Sequence, residues 1–121
     1  MTPKEYNYGA FVRGDTIPKR RFTITKTINS VTAPIDLSDY TIRCDFLLLK
    51  DRISKVEGEG ITIIDAINGV FEIDKFTLSK AGKYQFDIEF KDDSNDVVQT
   101  YVKGDLEILE DVTKWVKLIY Q

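Results

Sequence analysis

The sequence predicts an all-β, sandwich-like domain, and three observations carry this prediction. Apolar and polar side chains alternate with a period of two through several segments, as they do in strands with one buried face. Turn-forming residues separate these segments at intervals of about 8–12 residues, the spacing of a β-sandwich. The chain has 121 residues, of which 42% are hydrophobic, and this suffices for the core of one domain.

The alternation is clearest towards the C-terminal half of the chain. Tyr84, Phe86, Ile88 and Phe90 occupy every second position, and the residues between them are polar. The same pattern predicts strands over residues 22–28, 40–48 and 98–108. In the last of these strands, we expect Gly104 to mark a bulge or a bend.

Turn signals divide the remaining chain into shorter strands. Asn68-Gly69 favours a type I′ hairpin turn, because both residues tolerate positive φ. Gly58 and Gly60 precede a short apolar run over residues 61–64. The polar residues 92–96 join the two long C-terminal strands. Together these signals predict about seven or eight antiparallel strands.

One local feature favours an immunoglobulin-like topology. Tyr84 follows Gly82 by two residues at the entrance of the clearest strand, which resembles a tyrosine corner. In such a corner, the phenol hydroxyl donates a hydrogen bond to the backbone of the preceding turn. We therefore predict an immunoglobulin-like antiparallel β-sandwich whose core is held by packing alone, since a single cysteine cannot form an internal disulfide.

The two ends of the chain do not follow the strand pattern. Residues 1–9 carry two tyrosines without a clear alternation, and residues 110–121 collect apolar and aromatic side chains. The predicted organisation is an N-terminal arm over residues 1–9, an immunoglobulin-like sandwich over residues 10–109 and a C-terminal docking tail over residues 110–121.

The tail needs a surface against which its apolar side chains can be buried. Val112, Trp115, Val116 and Ile119 would share one face of a helix, but the tail also alternates as a strand would, so both conformations remain open. The tail either folds back on its own sandwich or docks on a neighbour, where aromatic anchors carry much of the binding energy. The candidate interface residues are Tyr6, Tyr8, Phe11, Trp115, Val116, Leu118, Ile119 and Tyr120.

The composition argues against catalysis and metal binding. The chain has no histidine, and its one cysteine, Cys44, lies in an apolar row that predicts a small core residue. No glycine-rich phosphate motif is present. A calcium loop at residues 92–96 or a pair of catalytic carboxylates stays open, but a turn and solvated strand faces explain these acidic residues. We expect no enzyme activity, no cofactor and no small-molecule substrate.

The charge distribution bears on the partners. The net charge of −3 gives no general case for nucleic-acid binding, and no stretch approaches the roughly 18 apolar residues of a membrane span. Residues 1–35 carry six basic and two acidic side chains, whereas the rest of the chain carries 11 and 18. This asymmetry favours head-to-tail contact between copies or docking on an acidic partner, with chance scatter as the alternative.

Two short motifs have simpler structural explanations. Arg13-Gly14-Asp15 matches an integrin-binding tripeptide, but its position predicts a turn into the next strand. Lys19-Arg20-Arg21 has no interleaved aromatic platform for single-stranded nucleic acid, so it is expected to form a solvated strand edge.

Several segments within residues 13–109 have a distinctive order and spacing, and they lie at residues 13–18, 22–24, 34–43, 60–71 and 81–90. Their order and spacing resemble small immunoglobulin-like modules of bacteriophage structural proteins, and among these the N-terminal domain of phage baseplate upper proteins. A baseplate upper protein continues beyond this module, so other positions in the particle are also expected.

The resemblance implies a virion protein without catalytic residues. It would assemble with other virion proteins and with copies of itself, as a capsid decoration, head–tail, tail or baseplate component, after synthesis in the host cytoplasm. No signal-peptide core precedes the first strands, which fits synthesis in the cytoplasm. The alternative is a carbohydrate- or receptor-binding β-sandwich, for which Tyr40, Tyr101 and Trp115 are the candidate exposed aromatics.

Overall fold

The structure is a computed structural model that describes residues 3–112. These residues form ten strands and no helix, so this part of the chain holds no helix that is long and apolar enough to cross a membrane. The strands are β1 (Lys4–Val12), β2 (Arg20–Thr23), β3 (Thr25–Ile28), β4 (Val31–Pro34), β5 (Tyr40–Leu48), β6 (Asp51–Glu57), β7 (Gly60–Asp65), β8 (Val70–Ile73), β9 (Gly82–Asp92) and β10 (Val97–Leu109).

Eight of these strands form one curled sheet, and the other two form a separate hairpin. The sheet order is β1-β10-β9-β5-β6-β7-β8-β2, and β3 pairs only with β4. The all-β prediction is confirmed. The count of seven or eight strands is too low, and the sheet is not wholly antiparallel, because β1 pairs with β10 and β6 pairs with β7 in parallel.

The predicted strand over residues 22–28 is divided at Ile24. The Ile24 N–H donates to the carbonyl of Gly69 at 2.9 Å, and the Ile24 carbonyl accepts from the Ile35 N–H at 3.0 Å. These two bonds turn the chain out of the main sheet, so the alternation that begins in β2 continues into a hairpin outside it. This is why one periodic segment gives two strands.

The curl of the sheet encloses an aromatic core. The inward rows of β5 and β9 are buried as their alternation predicts, and Cys44 is fully buried among them. Rings from four different parts of the chain, Tyr8, Phe46, Phe76 and Phe86, meet edge to face or tilted, with centroids 5.1–6.1 Å apart. Such pairs add to the free energy gained from burying their apolar area.

Residues 4–9 are not an arm but the first part of β1, so the predicted boundary at residue 9 is wrong for these residues. Tyr8 is 1% exposed, whereas Tyr6 and Phe11 pack partly buried against the core. The alternation is lost because the pairing of β1 with β10 slips between Asn7 and Gly9, where Gly9 has φ +111°. A bulge of this kind shifts the inward side by one residue.

The edges of the curled sheet meet where β1 faces β2. The Arg20 guanidinium donates to the Tyr8 carbonyl at 3.2 Å and lies 5.2 Å from the centre of the Tyr8 ring. Tyr6 meets Phe22 with ring centroids 5.1 Å apart. Side chains therefore close the seam that backbone hydrogen bonds leave open, and the core is covered on that side.

Gly104 has a different function from the bulge or bend expected of it. The register of β10 with β9 slips between Thr100 and Val102, so the irregular residue is Tyr101. Gly104 pairs with Tyr6 of β1, and a Cβ at Gly104 would lie 1.7 Å from the Tyr6 carbonyl oxygen. The glycine is needed because β1 approaches β10 too closely for any side chain.

The predicted hydrogen bond of the tyrosine corner is present. The Tyr84 hydroxyl donates to the Lys80 carbonyl at 2.8 Å, across the turn that leads into β9. The ring is 2% exposed, so the bond joins the turn to the core.

Replacement of Tyr84 by Phe should lower the free energy of unfolding by about 1 kcal/mol, because the ring is retained while one partly buried hydrogen bond is lost. Urea denaturation monitored by circular dichroism would measure the loss. Tyr101→Phe is the matched control, since its hydroxyl bonds to the exposed Gln99 side chain. Equal effects at the two sites would contradict a special role for the corner.

Replacement of Gly104 by Ala should lower the free energy of unfolding by more than about 3 kcal/mol, because the new methyl group must push β1 away from β10. Thermal unfolding would measure the effect. Gly58→Ala is the control: Gly58 has φ +85° but open space around its Cβ position, so it should cost only about 1 kcal/mol of backbone strain. A Gly104→Ala protein as stable as the control would show that β1 is not held as described.

Candidate functional site

The β3–β4 hairpin projects from the domain with all eight of its strand residues exposed. Its turn uses Asn29 and Ser30 at φ 51° and 66°, which suits a two-residue type I′ turn. The hydroxyls of Thr27 and Thr32 lie 2.8 Å apart across the strands. An isolated two-stranded hairpin is marginally stable by itself, so a partner that covered this one would stabilise it.

The tip of this hairpin carries two large apolar side chains in solvent. Ile28 is 57% and Val31 66% exposed, and they face each other as the last register pair before the turn. The sequence pattern had placed Ile28 in the inward row of a single long strand. Its exposure here follows from the departure of the chain at Ile24.

A groove of about 400 Å³ lies between the hairpin and the main sheet. It opens at the end of the domain where β5 and β10 begin. The lining is mainly apolar and aromatic, and its residues are Lys26, Ile28, Val31, Ala33, Pro34, Ile35, Tyr40 and Tyr101.

Two tyrosines form the sheet side of this groove. Tyr40 and Tyr101 both rest on Phe90, with ring centroids 6.4 and 5.0 Å apart. Partial burial, with Tyr40 and Asp92 nearby, raises the pKa of Tyr101 above its ordinary value, so its hydroxyl stays neutral at physiological pH. The groove therefore offers aromatic ring surface and the neutral hydroxyl of Tyr101, with Lys26 as a charged lining residue.

An acidic turn borders the groove. The Asp92 carboxylate accepts bonds from the Ser94 and Asn95 backbone N–H groups and from the Asn95 side chain, the last at 2.8 Å. The Asn95 side-chain bond is the main cause that lowers the Asp92 pKa, so this group remains ionised. Hydrogen bonding within the turn therefore accounts for Asp92 in the acidic run. No group of residues within 3–112 is arranged to hold a metal ion.

The predicted interface residues are separated by the structure. Tyr8 is buried in the core and cannot contact a partner, while Tyr6 and Phe11 are partly buried and help close the seam. Phe11 also lies 5.8 Å from the Arg20 guanidinium. The remaining candidates, Trp115, Val116, Leu118, Ile119 and Tyr120, lie outside the described residues.

Arg13 holds the start of the tail at the opposite end of the domain from the groove. Its Nε donates to the Asp111 carboxylate at 2.9 Å, and its backbone N–H donates to the Leu109 carbonyl at 2.8 Å. Arg13 of the Arg-Gly-Asp tripeptide is thus committed to a contact within the chain. Gly14 has φ +85°, as a turn at this position requires.

The basic tripeptide is also used within the domain. Glu72, which is 6% exposed, accepts from Arg21 at 2.9 Å and lies 3.5 Å from the Lys19 ammonium. These bonds, led by the one from Arg21, lower the Glu72 pKa. Arg20 closes the seam, so all three basic residues have partners within the domain. The prediction of a solvated strand edge did not include these contacts.

One pair of carboxylates faces solvent on the outer side of the sheet. Asp45 and Asp87 are direct cross-strand neighbours, and Asp45 accepts from Arg52 at 2.9 Å and Arg43 at 3.1 Å. Burial first, and then Asp45, raise the Asp87 pKa. The pair borders a shallow depression of about 440 Å³ whose other lining residues are mostly polar.

Cys44 lies on the inner side of β5. Burial first, and then Asp87 and Asp45, raise the pKa of its thiol well above the ordinary range, which keeps it protonated. A buried, protonated thiol is inert as a nucleophile.

Cys44 should be almost unreactive towards an aromatic disulfide reagent at pH 8 in the folded protein, because the thiolate is both rare and inaccessible. In urea above the unfolding midpoint, the same thiol should react within minutes. Spectrophotometric thiol titration measures both rates, with a small free thiol as the reference. A native rate near that reference would contradict the buried position.

Comparison with protein-family models found none that matches the chain, and comparison with curated proteins found no match.

Proposed function

We propose that this protein is a non-enzymatic structural component of a bacteriophage virion, which assembles through the β3–β4 hairpin and its C-terminal tail. The observation that carries the proposal is the hairpin, because its eight exposed strand residues hold Ile28 and Val31 in solvent. Exposed apolar side chains on a projecting element are typical of surfaces that a partner covers. The virion assignment itself is supported by the resemblance to phage modules.

An immunoglobulin-like topology fits the strand order. The run β2-β8-β7 corresponds to strands B, E and D of such a sandwich, and β5-β9-β10 corresponds to C, F and G. The bond from Tyr84 to Lys80 is the tyrosine corner of the F strand. In this interpretation, the two-residue pairing of β6 with β7 joins the two layers along one side, and β1 runs parallel to the G strand.

Carbohydrate binding is the alternative, and the groove tyrosines are its best support. Tyr40 and Tyr101 both contact Phe90, which covers part of each ring and reduces the surface open to a sugar ring. The groove fits an apolar protein segment better than a polar glycan. A glycan array that gave specific binding, lost on Tyr101→Phe, would favour the alternative.

The virion assignment can be tested on particles. An antiserum against the purified protein should detect it in density-purified particles from an infected host, in a constant ratio to the major capsid protein. Recovery only in the soluble fraction, after the particles have been removed, would contradict the proposal.

The hairpin gives a sharper prediction. A phage that carries Ile28→Asp should yield particles depleted of this protein at least fivefold by quantitative immunoblot, because a charge at the hairpin tip opposes burial. The purified variant should keep its stability within about 0.5 kcal/mol, since the residue is exposed. The matched control is Leu49→Asp, at a 90% exposed leucine in the turn after β5, which should be incorporated normally. Normal incorporation of both variants would exclude the hairpin from the assembly surface.

A further inference from the structure

The groove and the start of the tail lie at opposite ends of the same strands. The groove end is defined by Tyr40, Asp92 and Val97, where β5 and β10 begin and β9 finishes. The tail end is defined by Leu48, Gly82 and Leu109, where β9 begins and β5 and β10 finish. Tyr101 in the groove and Leu109 at the tail end are eight residues apart on one strand, which corresponds to about 27 Å.

The first anchor of the tail, Trp115, cannot reach the groove of its own chain. Arg13 holds Asp111 at the tail end, and the first strong anchor, Trp115, follows Val112 by only three residues. Three extended residues span about 10 Å, far less than the distance to the groove. A Trp115 side chain in the groove must therefore come from another molecule.

The groove and the tail are complementary in polarity and charge. Residues 113–121 contain five apolar or aromatic side chains and two lysines, Lys114 and Lys117, without an acidic residue. The groove has an apolar and aromatic lining, and Asp92 lies beside it as the register partner of Tyr40. The turn after Asp92 contains Asp93 and Asp96. Lys26 lines the groove, Lys91 lies 3.5 Å from Asp96, and Lys4 and Arg21 line a neighbouring pocket that shares Tyr101.

We propose that residues 113–121 of one copy bind in the groove between the β3–β4 hairpin and the sheet of the next copy. This inference rests on the proposed assembly function and specifies its contact. The two surfaces differ, so the contact is heterologous and each copy donates a tail and accepts one. Repetition leads to a ring or an open row of copies, and it also explains the exposure of Ile28 and Val31.

Complementation between two full-length variants tests this contact. The groove variant is Val31→Asp, which places a charge at an exposed groove residue. The tail variant carries Trp115→Asp and Ile119→Asp. Each variant keeps one half of the contact, so each alone should have the mass of one chain in analytical ultracentrifugation. The mass of the wild type and of Leu49→Asp should increase with protein concentration.

An equimolar mixture of the two variants should form a species of two chains and nothing larger, because only one intact groove and one intact tail can meet. The proposal is overturned if the mixture stays at one chain, as it would if each tail covered its own domain. It is equally overturned if either variant alone assembles like the wild type, or if the wild type itself stays at one chain. The melting temperature of each variant should lie within a few degrees of that of the wild type, which shows that the variants are folded.

Tryptophan fluorescence gives a second, direct measurement. The chain has one tryptophan, so a Trp115→Phe chain is dark and a synthetic peptide of residues 110–121 carries the whole signal. The peptide emission should shift to the blue on titration with the Trp115→Phe chain. Val31→Asp in that background should raise the Kd at least tenfold, and Leu49→Asp should leave it unchanged. No shift, or equal binding by both variants, would overturn the groove assignment.

The outcomes separate this inference from the proposed function. If the protein is found in particles but the variant mixture fails to pair, the virion assignment stands and the tail contact is wrong. If the mixture pairs but the protein is absent from particles, the contact stands and the virion assignment is wrong.

Discussion

The seam between β1 and β2 is the constraint on which the rest of the structure depends. A sheet of eight strands can enclose a core only if its two edges come together, and here no strand pairing joins them. Tyr8 from one edge and Arg20 from the other provide the closure, with Tyr6 against Phe22 beside them. Within residues 3–112 the buried Tyr8 hydroxyl finds no hydrogen-bond partner, a cost that the ring contacts of Tyr8 with Phe46, Phe76 and Phe86 offset.

Closure at the seam also decides which apolar side chains stay exposed. Because β1 and β2 use their facing side chains on each other, the N-terminal tyrosines become part of the domain. The chain after β2 leaves the sheet at Ile24, and the hairpin that follows has neither a core nor a sheet neighbour. Apolar side chains at its tip are thus exposed by the topology. A groove forms between hairpin and sheet, at the end of the domain opposite to the start of the tail.

Prediction from sequence succeeded where local pattern and tertiary environment agree. β5 and β9 are paired on both edges, so simple alternation describes them, and Cys44 and Tyr84 lie where the pattern placed them. It failed where pairing is irregular. Because the register slips at Tyr8, β1 lacks a regular alternation and was predicted to be an arm. Gly104 was expected to bend β10, but its missing side chain instead allows β1 to approach β10 closely. The groove joins residues from three separate segments, and no local spacing signals it.

By itself, the sequence determined that this protein is all-β, that Cys44 is internal and that Tyr84 anchors a turn. Each of these depends on side-chain period or on a contact within four residues, so neighbouring residues suffice. Only the tertiary structure decided that Tyr8 is core rather than surface, that residues 25–34 project as a hairpin, and that the groove lies at the opposite end from Asp111. Those outcomes depend on which strands meet across the sheet, and contacts between residues far apart in the chain set that order.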